Sequence, residues 1–169
     1  LCLEDSTSYG TYNDPCVARY QEGLDVGYRG YDRQGKEVAF PFGFGLSYSS
    51  FEYEGLELSV GGKGLTVRFT LKNVSDRDGK EISQIYVRPA VCFVYRPEKE
   101  LKGYTKTFVA AGKTAVAETT LEADAFAYYS TAQDRWKTED GIYEILVGAS
   151  SRDIRLRAKI AVKDGKIVL

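Results

Sequence analysis

The stretch Leu65–Lys72, LTVRFTLK, alternates apolar and polar residues at every position. A period of two places successive side chains on opposite faces of a β-strand, so this stretch predicts a strand with one buried and one solvated face. Glycines precede it at positions 61, 62 and 64, and the turn-forming residues 73–79 follow it. The buried face of such a strand needs a second layer of structure to cover it.

Further strands are predicted on both sides of this one, separated by short turns. They cover residues 51–60, 81–88, 101–109, 115–121, 141–148 and 154–160. We expect the strands 101–109 and 115–121 to form a hairpin across the turn at 111–113. About seven strands without a long helix predict an all-β fold, an antiparallel, immunoglobulin-like β-sandwich.

Two local features accompany these strands. Residues 124–129 predict a helical turn that Asp124 caps. Tyr143 comes just before the inward residues Ile145 and Val147, which is where a tyrosine corner lies in sandwiches of this kind.

The segment Phe40–Phe51, FPFGFGLSYSSF, combines aromatic rings with glycines and leads into the first strand. It fits a buried strap at a domain junction, and it fits equally well a hydrophobic loop that seals one edge of the sandwich. We predict that at least two of its three phenylalanine rings are buried, because three exposed rings would form an apolar patch. The candidate junction and packing residues are Phe40, Pro41, Phe42, Gly43, Gly45 and Tyr48, together with Tyr143.

Residues 1–36 are polar and rich in tyrosine, and they show no sustained hydrophobic period. They predict an irregular N-terminal arm, with short strands or turns at 17–20 and 24–28. We therefore divide the chain into an arm and junction strap, 1–45, and a sandwich, 46–169. Residues before Pro41 are expected to be mobile without a partner.

Composition excludes several classes of function. The chain has 23 basic and 24 acidic residues, so its charge gives no case for binding nucleic acid or an anionic membrane. No apolar run approaches the roughly 20 residues of a membrane helix. The sequence contains no histidine and no Cys-x-x-Cys pair, so we expect neither zinc nor another cofactor. Cys2 and Cys16 could close a short loop, but free thiols are the favoured interpretation.

No arrangement of side chains predicts an active site. The absence of histidine excludes Ser–His and Cys–His nucleophile pairs. Glu98 and Glu100 could in principle serve glycoside hydrolysis, but neighbouring lysines favour a charged surface. Residues 76–79 are interpreted as a solvated turn rather than a calcium loop.

Aromatic side chains are the remaining binding candidates. If several lined one exposed face, they could stack on sugar rings; packing of the arm onto the sandwich is the favoured alternative. Trp136, between two basic residues, is expected to anchor one edge of the sandwich. The other candidates are Tyr9, Tyr12, Tyr20, Tyr28, Tyr31, Tyr128 and Tyr129.

Two motifs carry a family resemblance. Tyr20–Arg29 contains Tyr-x-Glu-Gly-x-x-Val-Gly-Tyr-Arg, and Phe40–Phe51 contains Phe-Pro-Phe-Gly-x-Gly-Leu-Ser-Tyr-x-x-Phe. They resemble the junction in glycoside hydrolase family 3 that links the α/β sandwich domain to the fibronectin type III-like domain. Phe44 replaces a usual histidine, and Ser49 replaces a usual threonine. The resemblance continues through Asn73, Gly79, Glu81, Gln84, Tyr86, Val87, 96–103 and 141–154.

The resemblance implies a non-catalytic accessory domain. Members of the family are mostly retaining β-glucosidases, whose aspartate nucleophile lies in a Ser-Asp-Trp-like motif on a β/α barrel. Ser75-Asp76 is followed by arginine, so no catalytic residue can be transferred to this chain. The implied partners are the catalytic barrel and the α/β domain. A carbohydrate- or polymer-binding module, which would need exposed coplanar aromatics, is the alternative; an adhesion domain is a third possibility.

Overall fold

The computed structural model describes residues 4, 6–11, 13–14 and 16–169. Within them the fold is almost entirely β, with one short helix, α1 (Tyr28–Arg33), and a 3₁₀ turn at Ala123–Phe126. The strands are β1 (Phe51–Gly61), β2 (Gly64–Asn73), β3 (Gly79–Pro89), β4 (Glu100–Val109), β5 (Thr114–Leu121), β6 (Ala127–Ser130), β7 (Arg135–Thr138), β8 (Gly141–Gly148), β9 (Ile154–Lys163) and β10 (Lys166–Val168).

Two antiparallel sheets form the sandwich. One has the order β1-β2-β5, the other has the order β10-β9-β8-β3-β4, and β6 and β7 form a separate two-stranded ribbon. Alternate residues of both sheets meet in one core. In β2 the apolar positions of the alternating stretch, Leu65, Val67, Phe69 and Leu71, are all at most 1% exposed. The predicted all-β sandwich is confirmed.

The predicted hairpin between β4 and β5 is wrong. β4 pairs with β3, and β5 pairs with β2, so the chain passes from one sheet to the other at residues 110–113. Val109 at the end of β4 and Ala117 in β5 are both buried in the core between the sheets. A glycine turn between two alternating strands has the same local sequence in a hairpin and in a crossing between sheets, so the pattern could not separate them.

The two local predictions have different outcomes. The predicted turn at 124–129 is shorter than expected, because strand β6 begins at Ala127. Glu122 occupies the N-cap position, and no side chain caps the turn. The Tyr143 hydroxyl donates to the Glu139 carbonyl at 2.8 Å, the bond to upstream backbone expected of a tyrosine corner. Tyr143 also meets Phe126 edge-on in the core.

The central strands of the larger sheet are buried on both faces. In β3, Ile85 and Val87 belong to the core between the sheets. The alternate residues Gln84 and Tyr86 therefore lie on the outer face of that sheet, yet both are at most 5% exposed. An antiparallel sheet usually leaves one face to solvent, so another part of the chain must cover this one.

Glu81, at the start of β3, connects the sheets through a hydrogen bond. The Tyr53 hydroxyl donates to Glu81 Oε1 at 2.6 Å, and Ser83 Oγ donates to the same hydroxyl at 3.2 Å. Burial raises the pKa of the Glu81 carboxyl, while the bond from Tyr53 opposes the rise. Because its pKa is higher in the folded state, this group reduces stability as the pH rises above its unfolded pKa, near 4.5.

We expect Glu81→Gln to remove this pH-dependent loss. The glutamine oxygen still accepts from Tyr53 but carries no charge to desolvate. Urea unfolding between pH 4 and 7 should show that the variant gains stability relative to wild type as the pH rises. Glu118→Gln, on an exposed position of β5, is the matched control and should follow the wild-type pH dependence. Equal pH slopes for wild type and Glu81→Gln would contradict this assignment.

Candidate interdomain interface

Residues 40–49, which we call the strap, are held on the outer face of the larger sheet by hydrogen bonds to the carbonyls of Phe42 and Gly43. Gln84 Nε2 donates to the carbonyls of Gly43 and Ala149, at 2.9 Å each, and the Ser151 N–H donates to the Phe42 carbonyl at 2.8 Å. The Tyr86 hydroxyl donates to Gln84 Oε1, so the amide is bonded through both its nitrogen and its oxygen. Burial, followed by the nearby Tyr28 and Asp32, raises the pKa of Tyr86 and keeps this donor protonated.

Gly43 is the point of closest approach between the strap and the sheet. Its φ of 80° lies in the left-handed region, and a Cβ there would overlap the Gln84 side-chain amide. Gly45 differs, because nothing lies within 4 Å of its Cβ position. Pro41 accepts a hydrogen bond from the Phe44 N–H at 3.0 Å, which turns the chain around these glycines.

The phenylalanines of the strap are not buried. Phe42 stacks on Tyr28 with ring centroids 4.6 Å apart, and Phe40 contacts Phe44 at 5.2 Å. All three nevertheless remain exposed, at 70%, 46% and 46% for Phe40, Phe42 and Phe44. The prediction that at least two rings are buried in this chain is therefore wrong. Backbone bonds fix the strap, and its rings pack on one another and on Tyr28 without being enclosed.

The apolar surface continues beyond these rings. Leu46 and Tyr48 are each 92% exposed. On the outer face of the sheet, the neighbouring positions Ile82, Tyr104 and Phe108 are exposed as well. We call the row formed by Phe40, Phe42, Phe44, Leu46 and Tyr48 the strap surface. Tyr143, the remaining sequence candidate, lies in the core and takes no part in this surface.

Helix α1 of the arm covers the part of the outer face around Tyr86. Tyr28 meets Tyr86 edge-on at 6.1 Å, and its hydroxyl accepts from the Leu101 N–H at 2.9 Å. The sequence pattern does not predict this helix, since six residues are too few to show a period. Gly30, inside α1, has no room for a side chain, because a Cβ would collide with the Asp25 carbonyl and Thr7.

Ion pairs attach the arm to the sandwich. Asp32 accepts from Lys99 Nζ at 2.7 Å and from Arg152 Nε at 3.0 Å. The side chains of Asp32 and Lys99 are only 7% and 10% exposed. Arg152 also donates to the Lys36 carbonyl at 2.6 Å. We call Asp32, Lys99 and Arg152 the latch.

A second polar group ties the arm to the loop after β3. Asp25 accepts from the Tyr95 hydroxyl and forms an ion pair with Arg33. The Arg33 guanidinium lies over the Tyr95 ring, 4.6 Å from its centroid. Arg29 pairs with Glu100 of β4 at 3.0 Å. The arm therefore contacts the sandwich through charged and aromatic side chains as well as backbone.

The structure also tests several other predictions made from the sequence, on Trp136, the cysteines, metal binding and membrane helices. The expectation that Trp136 anchors a sandwich edge is wrong, since its side chain is 69% exposed and contacts Tyr129. Cys16 and Cys92 are free, exposed thiols, while Cys2 and Tyr12 lie outside the described residues. In the described part of the chain, no group of three or more acidic, cysteine or histidine side chains could hold a metal ion. The helices found there are too short or too polar to cross a membrane.

Comparisons with known proteins find one matching domain family and several similar enzymes. Residues 81–151 match the fibronectin type III-like domain family. The thermostable β-glucosidase B of Acetivibrio thermocellus is 47% identical over 149 residues, covering 85% of this chain and 20% of that protein. An exo-α-(1→6)-L-arabinopyranosidase of Bifidobacterium longum is 46% identical over 149 residues, with 87% and 20% covered.

Solved structures show the same relationship. A family 3 β-glucosidase of Bifidobacterium adolescentis superposes with a TM-score of 0.88 at 41% identity, covering 94% of this chain and 24% of that one. A β-glucosidase of Kluyveromyces marxianus in complex with glucose gives 0.90 at 32% identity, covering 96% and 20%. The chain thus spans about a fifth of the length of these relatives. It contains a fibronectin type III-like domain and is homologous to the C-terminal region of family 3 β-glucosidases.

Proposed function

We propose that this chain is a non-catalytic accessory module that clamps the catalytic domains of a β-glucosidase. The strap surface is the observation that carries the proposal. Five large apolar side chains within nine residues are each at least 46% exposed. A row of this kind on a folded domain marks a protein interface.

The expected partners are the α/β domain and the catalytic barrel of the parent enzyme. The outer face of the larger sheet already binds helix α1 and the strap, and the strap surface remains exposed beside these contacts. The parent would hydrolyse terminal β-D-glycosidic bonds, as the names of the relatives imply. The module would contribute stability and alignment, and the other domains would contribute the reacting carboxylates.

The test compares one double variant in two proteins, the isolated chain and the full-length parent enzyme. Leu46→Ser with Tyr48→Ser should change the unfolding free energy of the isolated chain by no more than about 0.5 kcal/mol, because both side chains are solvated there. In the full-length parent enzyme, the same pair should cost about 3 kcal/mol or more, because a buried interface loses two large side chains. Thermal and urea unfolding of both proteins give the comparison.

Val116→Ser provides the matched control. Val116 is exposed on the outer face of β5, in the opposite sheet from the strap. It should be nearly neutral in both the chain and the parent. An equal, small effect of the strap substitutions in the two settings would contradict the clamp.

A flat carbohydrate-binding face is the second candidate. Its requirement is a set of exposed coplanar rings. The exposed pair Trp136 and Tyr129 meets at an interplanar angle of 77°, so these rings form no flat platform. The accessory role is therefore favoured over binding to a polymer surface.

A further inference from the structure

A cleft of about 500 Å³ lies on the sandwich beside the arm, apart from the strap surface. Its walls come from the arm, the loop 94–97, strand β4 and the ribbon of β6 and β7. A volume in this range suits a small organic ligand. The side chains that matter for its chemistry are Arg29, Arg96, Glu100, Lys102, Tyr129 and Trp136.

The charges in the cleft do not balance. Glu100 is surrounded by Arg29 at 3.0 Å, Arg96 at 3.5 Å and Lys102 at 3.7 Å. Among the described residues that line the cleft, Glu100 is the only carboxylate, so three cations exceed the acids by two charges. Asp134, which accepts a hydrogen bond from Tyr129, reduces this excess to one if it is included.

Two of these cations are accessible to a ligand. The side chains of Arg29 and Lys102 are 32% and 22% exposed, whereas Arg96 is nearly buried and donates to the Phe126 carbonyl. The ion pair with Glu100 occupies only part of the five N–H donors of the Arg29 guanidinium. Arginine and lysine donors of this kind bind carboxylates through charge-assisted hydrogen bonds.

Aromatic rings form the other wall. Trp136 is 69% exposed and Tyr129 is 46% exposed, and their perpendicular rings form a corner rather than a plane. Exposed Trp and Tyr offer an apolar face with a polar tip, which suits a ring that carries hydroxyl groups. Ser130 and Thr131, which join this wall, add further hydrogen-bonding groups.

We propose that this cleft binds a short acidic saccharide, with a sugar ring against Trp136 and its carboxylate near Arg29 and Lys102. A neutral saccharide would use the rings and leave the excess positive charge uncompensated. A simple anion would use the charge and leave the rings uncovered. The combination of the two walls selects a ligand that carries both features.

Trp136 is the only tryptophan in the sequence, so its fluorescence reports this cleft directly. Titration of the 169-residue chain with digalacturonate or glucuronate should change the emission with saturation. The matched neutral disaccharide galabiose and sodium acetate should each bind at least about tenfold more weakly, since each lacks one recognition element. Raising the salt concentration should weaken digalacturonate binding.

Variants measure separately what the charged wall and the aromatic wall contribute to binding. Lys102→Gln should weaken digalacturonate binding about tenfold and change galabiose binding little. Trp136→Ala should abolish the binding of digalacturonate measured by calorimetry. Tyr104 is equally exposed, at 69%, but lies outside the cleft lining, so Tyr104→Ala should leave digalacturonate binding unchanged. The NMR signal of the Trp136 indole N–H in the wild-type chain gives a readout that does not depend on any variant folding.

Three results would overturn the proposal. Equal affinity for galabiose and digalacturonate would remove the role of the charge. Equal affinity for acetate would leave an adventitious anion only. An unchanged indole signal at millimolar concentrations of both acidic saccharides would show that the cleft does not recognise them.

Discussion

Gly43→Ala is expected to destabilise the protein by about 2–5 kcal/mol. The left-handed backbone at φ 80° contributes strain for any residue with a side chain. The added methyl group would also displace the Gln84 amide, which is buried and bonds the Gly43 and Ala149 carbonyls. Buried polar groups that lose their partners add about 1–3 kcal/mol to the cost. Urea unfolding monitored by circular dichroism measures the loss.

Gly45→Ala is the matched control in the same motif. No atom lies within 4 Å of its Cβ position, so a methyl group meets no neighbour. Alanine should be neutral there or stabilise by a few tenths of a kcal/mol, because it restricts the unfolded chain. Similar losses for the two variants would show that the motif needs glycines for general flexibility and that the contact with Gln84 is not decisive.

Local periodicity made the core predictable from sequence. In β2, alternation identified the four buried apolar side chains, because these residues face the other sheet and their neighbours point away from it. It did not identify Asn73, the last residue of β2, which is buried although its residue type indicates a turn. The position of Tyr143 before an inward pair likewise predicted a tyrosine corner, and its hydroxyl donates to the upstream Glu139 carbonyl. These features depend on residues close together in the chain, and a pattern of period two reports them directly.

The outer face of the larger sheet could not be predicted in this way. Gln84 and Tyr86 are buried because the strap and helix α1 lie over them, some 40 to 60 residues away in sequence. A polar and an aromatic side chain on an alternating strand usually indicate a solvated face. For the three strap phenylalanines the error has the opposite direction. Their hydrophobicity predicted burial, but all three rings are exposed in this chain.

The division of the chain into an arm and a sandwich also depends on contacts between residues that are far apart in the sequence. The boundary between an arm and strap at 1–45 and a sandwich at 46–169 remains a prediction, as does the mobility of residues before Pro41. The contacts of α1 with Tyr86, Leu101 and Lys99 favour protection of the helix from hydrogen exchange. Exchange of the α1 amides compared with those of β8 tests which part of the arm is mobile.

Asp32→Asn is expected to cost about 3–5 kcal/mol, the typical loss when one partner is removed from a buried ion pair. Lys99 would keep its charge in a site where its side chain is 10% exposed, with no carboxylate at position 32. Arg152 is 33% exposed and can recover hydration, so Arg152→Gln should cost less, about 1 kcal/mol. Urea unfolding gives the free energies, and faster hydrogen exchange in α1 should accompany the loss in Asp32→Asn.

A double-mutant cycle distinguishes the latch from a general effect of substitution. Combining Asp32→Asn with Lys99→Met removes the buried charge as well as its partner, so the double variant should be less destabilised than the sum of the single variants by at least about 2 kcal/mol. Glu118→Gln in the exposed pair with Arg68, where both side chains are more than half exposed, should cost no more than about 0.5 kcal/mol. Strict additivity in the cycle would mean that Asp32 and Lys99 stabilise the arm independently. The attachment of the arm would then depend on its aromatic and backbone contacts alone.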